Sequence, residues 1–214
     1  MLKWWPIKLM FLCIIIILIY HPNEDIYQYL SISNLMFSVP FLTCISLTIV
    51  GILLIRIHKV QEITVALWHL TNATWWSFGC DILSGLFAIM PNLSNIYKIM
   101  DTNHLSIDKR HTLDAIYWCE LFIHVPLSWI CFYSYLVDSG KKYILETFLA
   151  GIQLMGTIAY YLPEILNNCH SWKYNILASS LNLVFGLIWI IYPCIILKKN
   201  LTNVINNQKK QHDK

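Results

Sequence analysis

Charge is what this sequence has least of. Asp, Glu, Lys and Arg make up 13% of its 214 residues, whereas 57% are hydrophobic. A soluble domain keeps about a quarter of its residues charged, because its surface has to face water. Half that share leaves too few ionic groups, which excludes a cytosolic enzyme, a disordered regulator and a nucleic-acid binder. The formal net charge of +3 is too small to point to a partner. Cysteine patterning is missing too: Cys13, Cys44, Cys80, Cys119, Cys131, Cys169 and Cys194 show no CxxC spacing and lie mostly in apolar runs. They read as small packed hydrophobes rather than zinc ligands or a disulfide framework. No metal or cofactor is expected, and there is no internal repeat, low-complexity tract or inter-domain linker.

In place of charge the chain has long apolar runs, and its mean hydropathy is +0.55. Five of them stand out: Leu30 to Ile55, Ile63 to Met90, about Asp114 to Val137, Glu146 to Pro163, and Tyr174 to Leu197. Each suffices to cross a hydrocarbon core of about 30 Å as a helix, which takes roughly 20 residues. The runs are continuously apolar rather than alternating, which predicts helices and not barrel strands. The expected fold is therefore all-α, an integral membrane bundle of five transmembrane helices over residues 30–197. A hydrophobic segment and short loop precede it at 1–29, and a basic tail follows at 198–214. In the first segment Lys3 and Lys8 precede apolar Leu9 to Tyr20. That layout fits a signal peptide, although it lacks a small-x-small cleavage site, and fits a sixth span or an interfacial anchor equally well.

Cations orient the bundle. One side receives Arg56, Lys59, Lys141, Lys142, Lys198, Lys199, Lys209, Lys210 and Lys214, and the other Lys98, Lys109, Arg110 and Lys173. The richer side, which holds the C-terminus, is expected to be cytosolic. The Asn92-Leu93-Ser94 sequon then falls on the lumenal side.

Against this background a few polar residues inside the runs become informative, since a carboxylate in hydrocarbon is costly and usually faces a bundle interior or a cavity. Thr74, Ser77, Asp81 and Ser84 recur at helical spacing in the second run. Glu120 and His124 share a face in the third, just before Pro126. Glu146, Ala150, Gln153, Thr157, Tyr160 and Glu164 line up in the fourth, and Ser179, Asn182, Gly186, Trp189 and Pro193 in the fifth. The Ser, Thr and Gly positions also suit close helix packing, and His69 reads as a boundary or packing residue. Asp81 and Glu120 are different, because a serine would have packed as well at lower cost. With His124 in a Trp-rich chamber they suit two tasks. One is holding a lipophilic amine, by ion pairing and cation–π contact. The other is moving a proton on and off an apolar substrate.

Several of these residues carry a resemblance. Cys119-Glu120-Leu121 followed by Pro126, Gln153-Leu154-Met155-Gly156 with Tyr160 and Leu162-Pro163-Glu164, Trp189 with Pro193, and Tyr97 with Asp101 stand in one order. Over Leu67 to Leu197 the chain resembles the emopamil-binding protein family, the EXPERA-domain proteins, which include a sterol Δ8-Δ7 isomerase, its isomerase-like paralogue and the sigma-two receptor. The resemblance implies a multi-pass protein of the endoplasmic-reticulum membrane and a sterol or other lipophilic ligand, cationic amphiphiles included. Membrane lipids are the remaining partners, and dimerisation stays open. In the isomerase, one His and two Glu shift a ring double bond through a carbocation. Carried over, Asp81 is the second-helix acid, Glu120 the second acid, and Ser77 stands where the isomerase has its His. Tyr117 takes the isomerase Glu position, which displaces Glu120 by a turn, and Gly186 replaces a last-helix Asn. Asp81, Glu120 and His124 are then the catalytic candidates. Ser77, Asp101, Tyr117, Gln153, Tyr160, Gly186 and Trp189 are the ligand-binding ones. The leading expectation is sterol isomerisation; the alternative is a non-catalytic sterol or amine receptor.

Overall fold

The computed structural model describes residues 38–90, 107–166 and 176–212, with side chains described over 38–90, 113–162 and 186–205. The expectations for 1–29, Asn92, Tyr97 and Asp101 lie outside these residues, as do the side chains of Glu164, Ser179 and Asn182. Every element among the described residues is helical, and the helices form five rods.

The first rod, α1 (Val39–Ile57), carries Pro40 in its first turn, where a missing N–H costs nothing. It exposes Leu42, Ile49, Val50 and Leu53; a helix that is apolar on its outer side faces lipid. After His58 the chain reverses through Lys59, whose φ of 50° is left-handed. The second rod starts as α2 (Ile63–Thr71) and continues without a break as a π-helix, π1 (Asn72–Leu86). Side chains account for the change of register. The Trp68 carbonyl accepts from Asn72 Nδ2 at 2.7 Å and Thr71 Oγ1 at 3.1 Å, and the Leu70 carbonyl from Thr74 Oγ1 at 2.8 Å. Such bonds compete with backbone N–H groups and favour the wider turn.

The third rod joins α3 (Ile107–Cys119), a short π-helix π2 (Glu120–His124) and α4 (Val125–Leu136). Pro126 explains π2: its ring has no N–H to offer the preceding turn and crowds the carbonyl four residues back. The fourth rod is α5 (Lys142–Leu166), and the fifth is α6 (Ile176–His212). Helix α6 does not stop at Lys198-Lys199 but runs on through the segment read as a tail, with Asn200 buried.

Three stretches are long and apolar enough to cross a membrane: Val39–Ile57, Leu113–Leu136 and Gly186–Ile205. Among the described residues the other two expected spans do not meet that measure. The second is split between α2 and π1, and α5 carries Glu146, Gln153 and Thr157 along its length. Rods α5 and α6 pack together, α2 lies on α4, and π1 sits against α1, α3 and π2. One buried cluster joins Ile55, Leu67, Leu70, Phe132 and Leu136. A second, around Trp68, Ala150, Ile188, Tyr192 and Ile196, ties α2 to α5 and α6.

The basic ends meet. Glu62 accepts hydrogen bonds from Tyr143 Oη at 2.9 Å and from Lys199 Nζ, and Lys142 Nζ lies 3.5 Å away. The α1–α2 turn, the start of α5 and the latter part of α6 therefore share one end of the bundle. Burial alone would raise the Glu62 carboxyl, but the Lys199 hydrogen bond and charge, with Tyr143 and Lys142, outweigh it and hold the carboxyl below its ordinary range.

Candidate functional site

A cavity of about 960 Å³ lies between π1, the third rod, α5 and α6. Its lining contains Asp81, Tyr117, Glu120, His124, Gln153, Tyr160 and Trp189, seven of the residues singled out from the sequence. Asp81 comes from π1 and Trp189 from α6, while Glu120 and His124 bracket π2. The widened turn before Pro126 is thus the segment that carries both the acid and the imidazole, in keeping with the habit of π-turns to occur at functional positions.

The expected single stripe on the second rod does not survive the π register. Thr74 Oγ1 turns to Thr48 of α1 at 3.0 Å, and Ser84 Oγ bonds the Gly79 carbonyl at 2.9 Å. Asp81 faces the cavity, and Ser77 Oγ lies 2.6 Å from His124 Nδ1. Spacing of three and four places residues on one face only while each turn holds 3.6 residues. Ser77 lies behind the cavity wall and touches the site through His124. Gly186 is also off the cavity: a Cβ there would collide with the ring of Tyr161, which does line it. Its small size lets α6 approach α5. Gly85 does the same for Tyr117, whose ring atoms would lie 2.8 Å from an added Cβ.

The carboxyl groups of Asp81 and Glu120 interact with each other at the cavity wall. Two adjacent carboxylates repel, and one proton shared between them relieves that repulsion. Glu120 Oε2, His124 Nε2 and Gln153 Nε2 are buried and have no protein partner, so three polar atoms are left for a ligand in an otherwise apolar chamber. Gln153 is held by its other end, Oε1 accepting from Trp68 Nε1 at 3.3 Å, and Trp68 in turn packs on Trp189 with ring centroids 5.0 Å apart. Few convergent polar groups in a large apolar cavity are the usual signature of a small-molecule site. Ile123, Phe148 and Met155 line the cavity and are exposed at 44%, 61% and 65%. The mouth therefore opens sideways through apolar side chains. Gly151 and Gly156, also in the lining, have open space where a Cβ would be.

Sequence reasoning missed a second buried polar centre next to this one. His69, read as packing, is 1% exposed, and its Nε2 lies 3.7 Å from Oε1 of fully buried Glu146. Glu146 Oε2 accepts from Tyr135 Oη at 2.8 Å and from Asn200 Nδ2 at 3.0 Å. Asn200 Nδ2 also reaches Thr147 Oγ1 at 3.1 Å, and Thr147 belongs to the cavity wall. A histidine and an acid inside two different apolar runs were the available signal.

A family profile described as EBP: EXPERA (EXPanded EBP superfamily) matches residues 89–199, just over half the chain. The match covers the third, fourth and most of the fifth rod and leaves Asp81 outside it. Comparison with curated proteins and with solved structures gave no match.

Proposed function

We propose, on the premise that this chain belongs to the EXPERA superfamily, that its cavity takes a sterol-like lipid from the bilayer and moves a proton on and off it. The observation that carries this reading is the convergence of Asp81, Glu120, His124 and Trp189 on one cavity, with His124 hydrogen-bonded to Ser77. Ser77 stands where the resemblance puts the isomerase histidine, so an imidazole from π2 reaches the position from which the second rod lost one. In the proposed reaction the acid pair donates its proton to an alkene carbon. The ring of Trp189 faces the carbocation so formed. His124, supported by the Ser77 hydroxyl, takes a proton from the neighbouring carbon. One C–H bond forms and another breaks, the double bond moves, and no oxidant is needed. Gln153 Nε2 is a donor for a ligand hydroxyl.

The same reading makes the α2–π1 rod and α5 the two polar-faced spans of a five-helix bundle in the endoplasmic-reticulum membrane. Neighbours cover their polar faces. The meeting of Lys142 and Lys199 at Glu62 supports a single cation-rich end, which the proposal puts in the cytosol with the C-terminus. Proteoliposomes should convert a Δ8 sterol to its Δ7 isomer, and Asp81→Asn, Glu120→Gln and His124→Gln should each abolish conversion. Background conversion by a protein that still binds the sterol refutes the catalytic step.

One observation favours a second reading, a non-catalytic receptor for cationic amphiphiles. The adjacent Asp81 and Glu120 carboxyls can give up a shared proton and hold an ammonium in its place. Saturable amine binding lost in Asp81→Asn, without sterol conversion by the unaltered protein, selects that reading.

A further inference from the structure

The proposed chemistry and the amine-binding alternative share a requirement: the Asp81–Glu120 pair must exchange its proton with water. The mouth of the cavity does not supply that route, because its exposed rim is Ile123, Phe148 and Met155, which face hydrocarbon in a membrane. Among the described residues a line of buried polar groups leads elsewhere. His124 stands four residues from Glu120 on the cavity wall and interacts electrostatically with His69. His69 faces Glu146 at 3.7 Å and stacks on Tyr135, ring centroids 5.9 Å apart. Tyr135 Oη bonds Glu146 at 2.8 Å and lies within electrostatic reach of Glu62 and Tyr143. Glu62, with Lys142, Lys199 and Tyr143 around it, is a quarter exposed at the basic end.

Along this line His124 Nε2, both nitrogens of His69 and Glu146 Oε1 are buried without a hydrogen-bond partner in the protein. Leaving such atoms unsatisfied costs about 1–3 kcal/mol each, and bridging water is the usual remedy at polar buried sites. Two histidines and an acid, each with a buried atom that no protein group hydrogen-bonds, are poor structural glue and good proton carriers.

We propose that His124, His69 and Glu146 form a proton route, completed by water, from the cavity acids to the aqueous face beside Glu62. Each hop moves one proton: His124, with Nδ1 held by Ser77, takes up and passes on its proton through water at Nε2, the neutral imidazole of His69 accepts at one nitrogen and releases from the other, and Glu146 receives as carboxylate and discharges toward Glu62. Only O–H and N–H bonds change. The inference rests on the acid pair of the proposed site, but not on turnover or on any ligand.

The test uses infrared spectroscopy of the full chain in lipid nanodiscs moved from H2O to D2O. The protonated-carboxyl C=O band, assigned by its loss in Asp81→Asn and Glu120→Gln, reports exchange of the shared proton. His69→Gln and Glu146→Gln should each slow that exchange by about tenfold or more, the loss expected for one charge-assisted hydrogen bond. Glu62→Gln, at the wet end, should slow it as well. Unchanged exchange in His69→Gln and Glu146→Gln proteins of normal helicity overturns the route, and so does absence of the carboxyl band. Because no sterol or amine is present, failure here is distinct from failure of the conversion and binding assays.

Discussion

Replacing Glu146 by alanine probes the buried centre in which four rods meet. The substitution removes the acceptor of the Tyr135 hydroxyl at 2.8 Å and of Asn200 Nδ2 at 3.0 Å, and the carboxylate 3.7 Å from His69. Asn200 keeps Thr147 Oγ1 and the Tyr143 carbonyl as partners, so its loss is small. Tyr135 and His69 are 2% and 1% exposed, so neither can turn to bulk solvent for what it loses. Each stranded group costs about 1–3 kcal/mol, and a void is added, so Glu146→Ala should destabilise the protein by about 3–5 kcal/mol. Glu146→Gln keeps one acceptor and should cost about half as much. The assay is reversible unfolding in mixed micelles followed by Trp fluorescence, with a double-mutant cycle against Tyr135→Phe. A coupling of about 1.5–3 kcal/mol is expected for a hydrogen bond to a charged acceptor. As a control, Asp138→Asn breaks the Lys142 pair at 2.5 Å, but Asp138 is 85% exposed, and the change should stay below about 1 kcal/mol. A Glu146→Ala protein within about 0.5 kcal/mol of the parent, or a coupling near zero, would refute the reasoning.

Gly186→Ala should push Tyr161 off its contact, cost about 1–3 kcal/mol by overpacking, and weaken ligand binding because Tyr161 lines the cavity; thermal shift and a binding isotherm on one preparation separate the two effects. Gly156→Phe, which meets open space, should leave stability within about 0.5 kcal/mol while filling the cavity and lowering affinity. The Glu62 carboxyl is held below its ordinary value in the folded protein. Its contribution is therefore complete above the ordinary carboxylate pKa and disappears as pH falls through the depressed folded value. Unfolding curves below about pH 4.5 should show this loss, and in Lys199→Met it should be smaller and end at a higher pH.

Much of this fold was legible because lipid constrains sequence so strongly. Runs without charge located the rods, and the costs of buried acids picked out Asp81 and Glu120. What the sequence hid depends on register and on contacts between rods. The π-turns of π1 separate Thr74, Ser77 and Asp81, which 3.6 spacing had put on one face, and their cause is a set of local side-chain bonds to the Trp68 and Leu70 carbonyls. The Ser77–His124 bond joins two rods across 47 positions; a single sequence carries no sign of such a pairing. His69 read as packing because its acid partner stands on another rod. Lys198-Lys199 read as the end of the last span, yet Glu62 gives Lys199 a partner and lets α6 continue. Gly186 read as a ligand position because the resemblance sets it where the isomerase has its last-helix Asn; the structure puts a tyrosine ring against it.

The central claim is that a sterol-like lipid occupies the cavity against Asp81, Glu120, His124 and Trp189. A photoreactive sterol in proteoliposomes, with its adducts mapped by peptide mass spectrometry, tests this most directly. The account predicts saturable labelling on Glu120–His124 and on the Gly151–Tyr160 face of α5, competed by unlabelled sterol and reduced by Gly156→Phe. Non-saturable labelling confined to the lipid-facing side of α1, around Ile49 and Leu53, would contradict it.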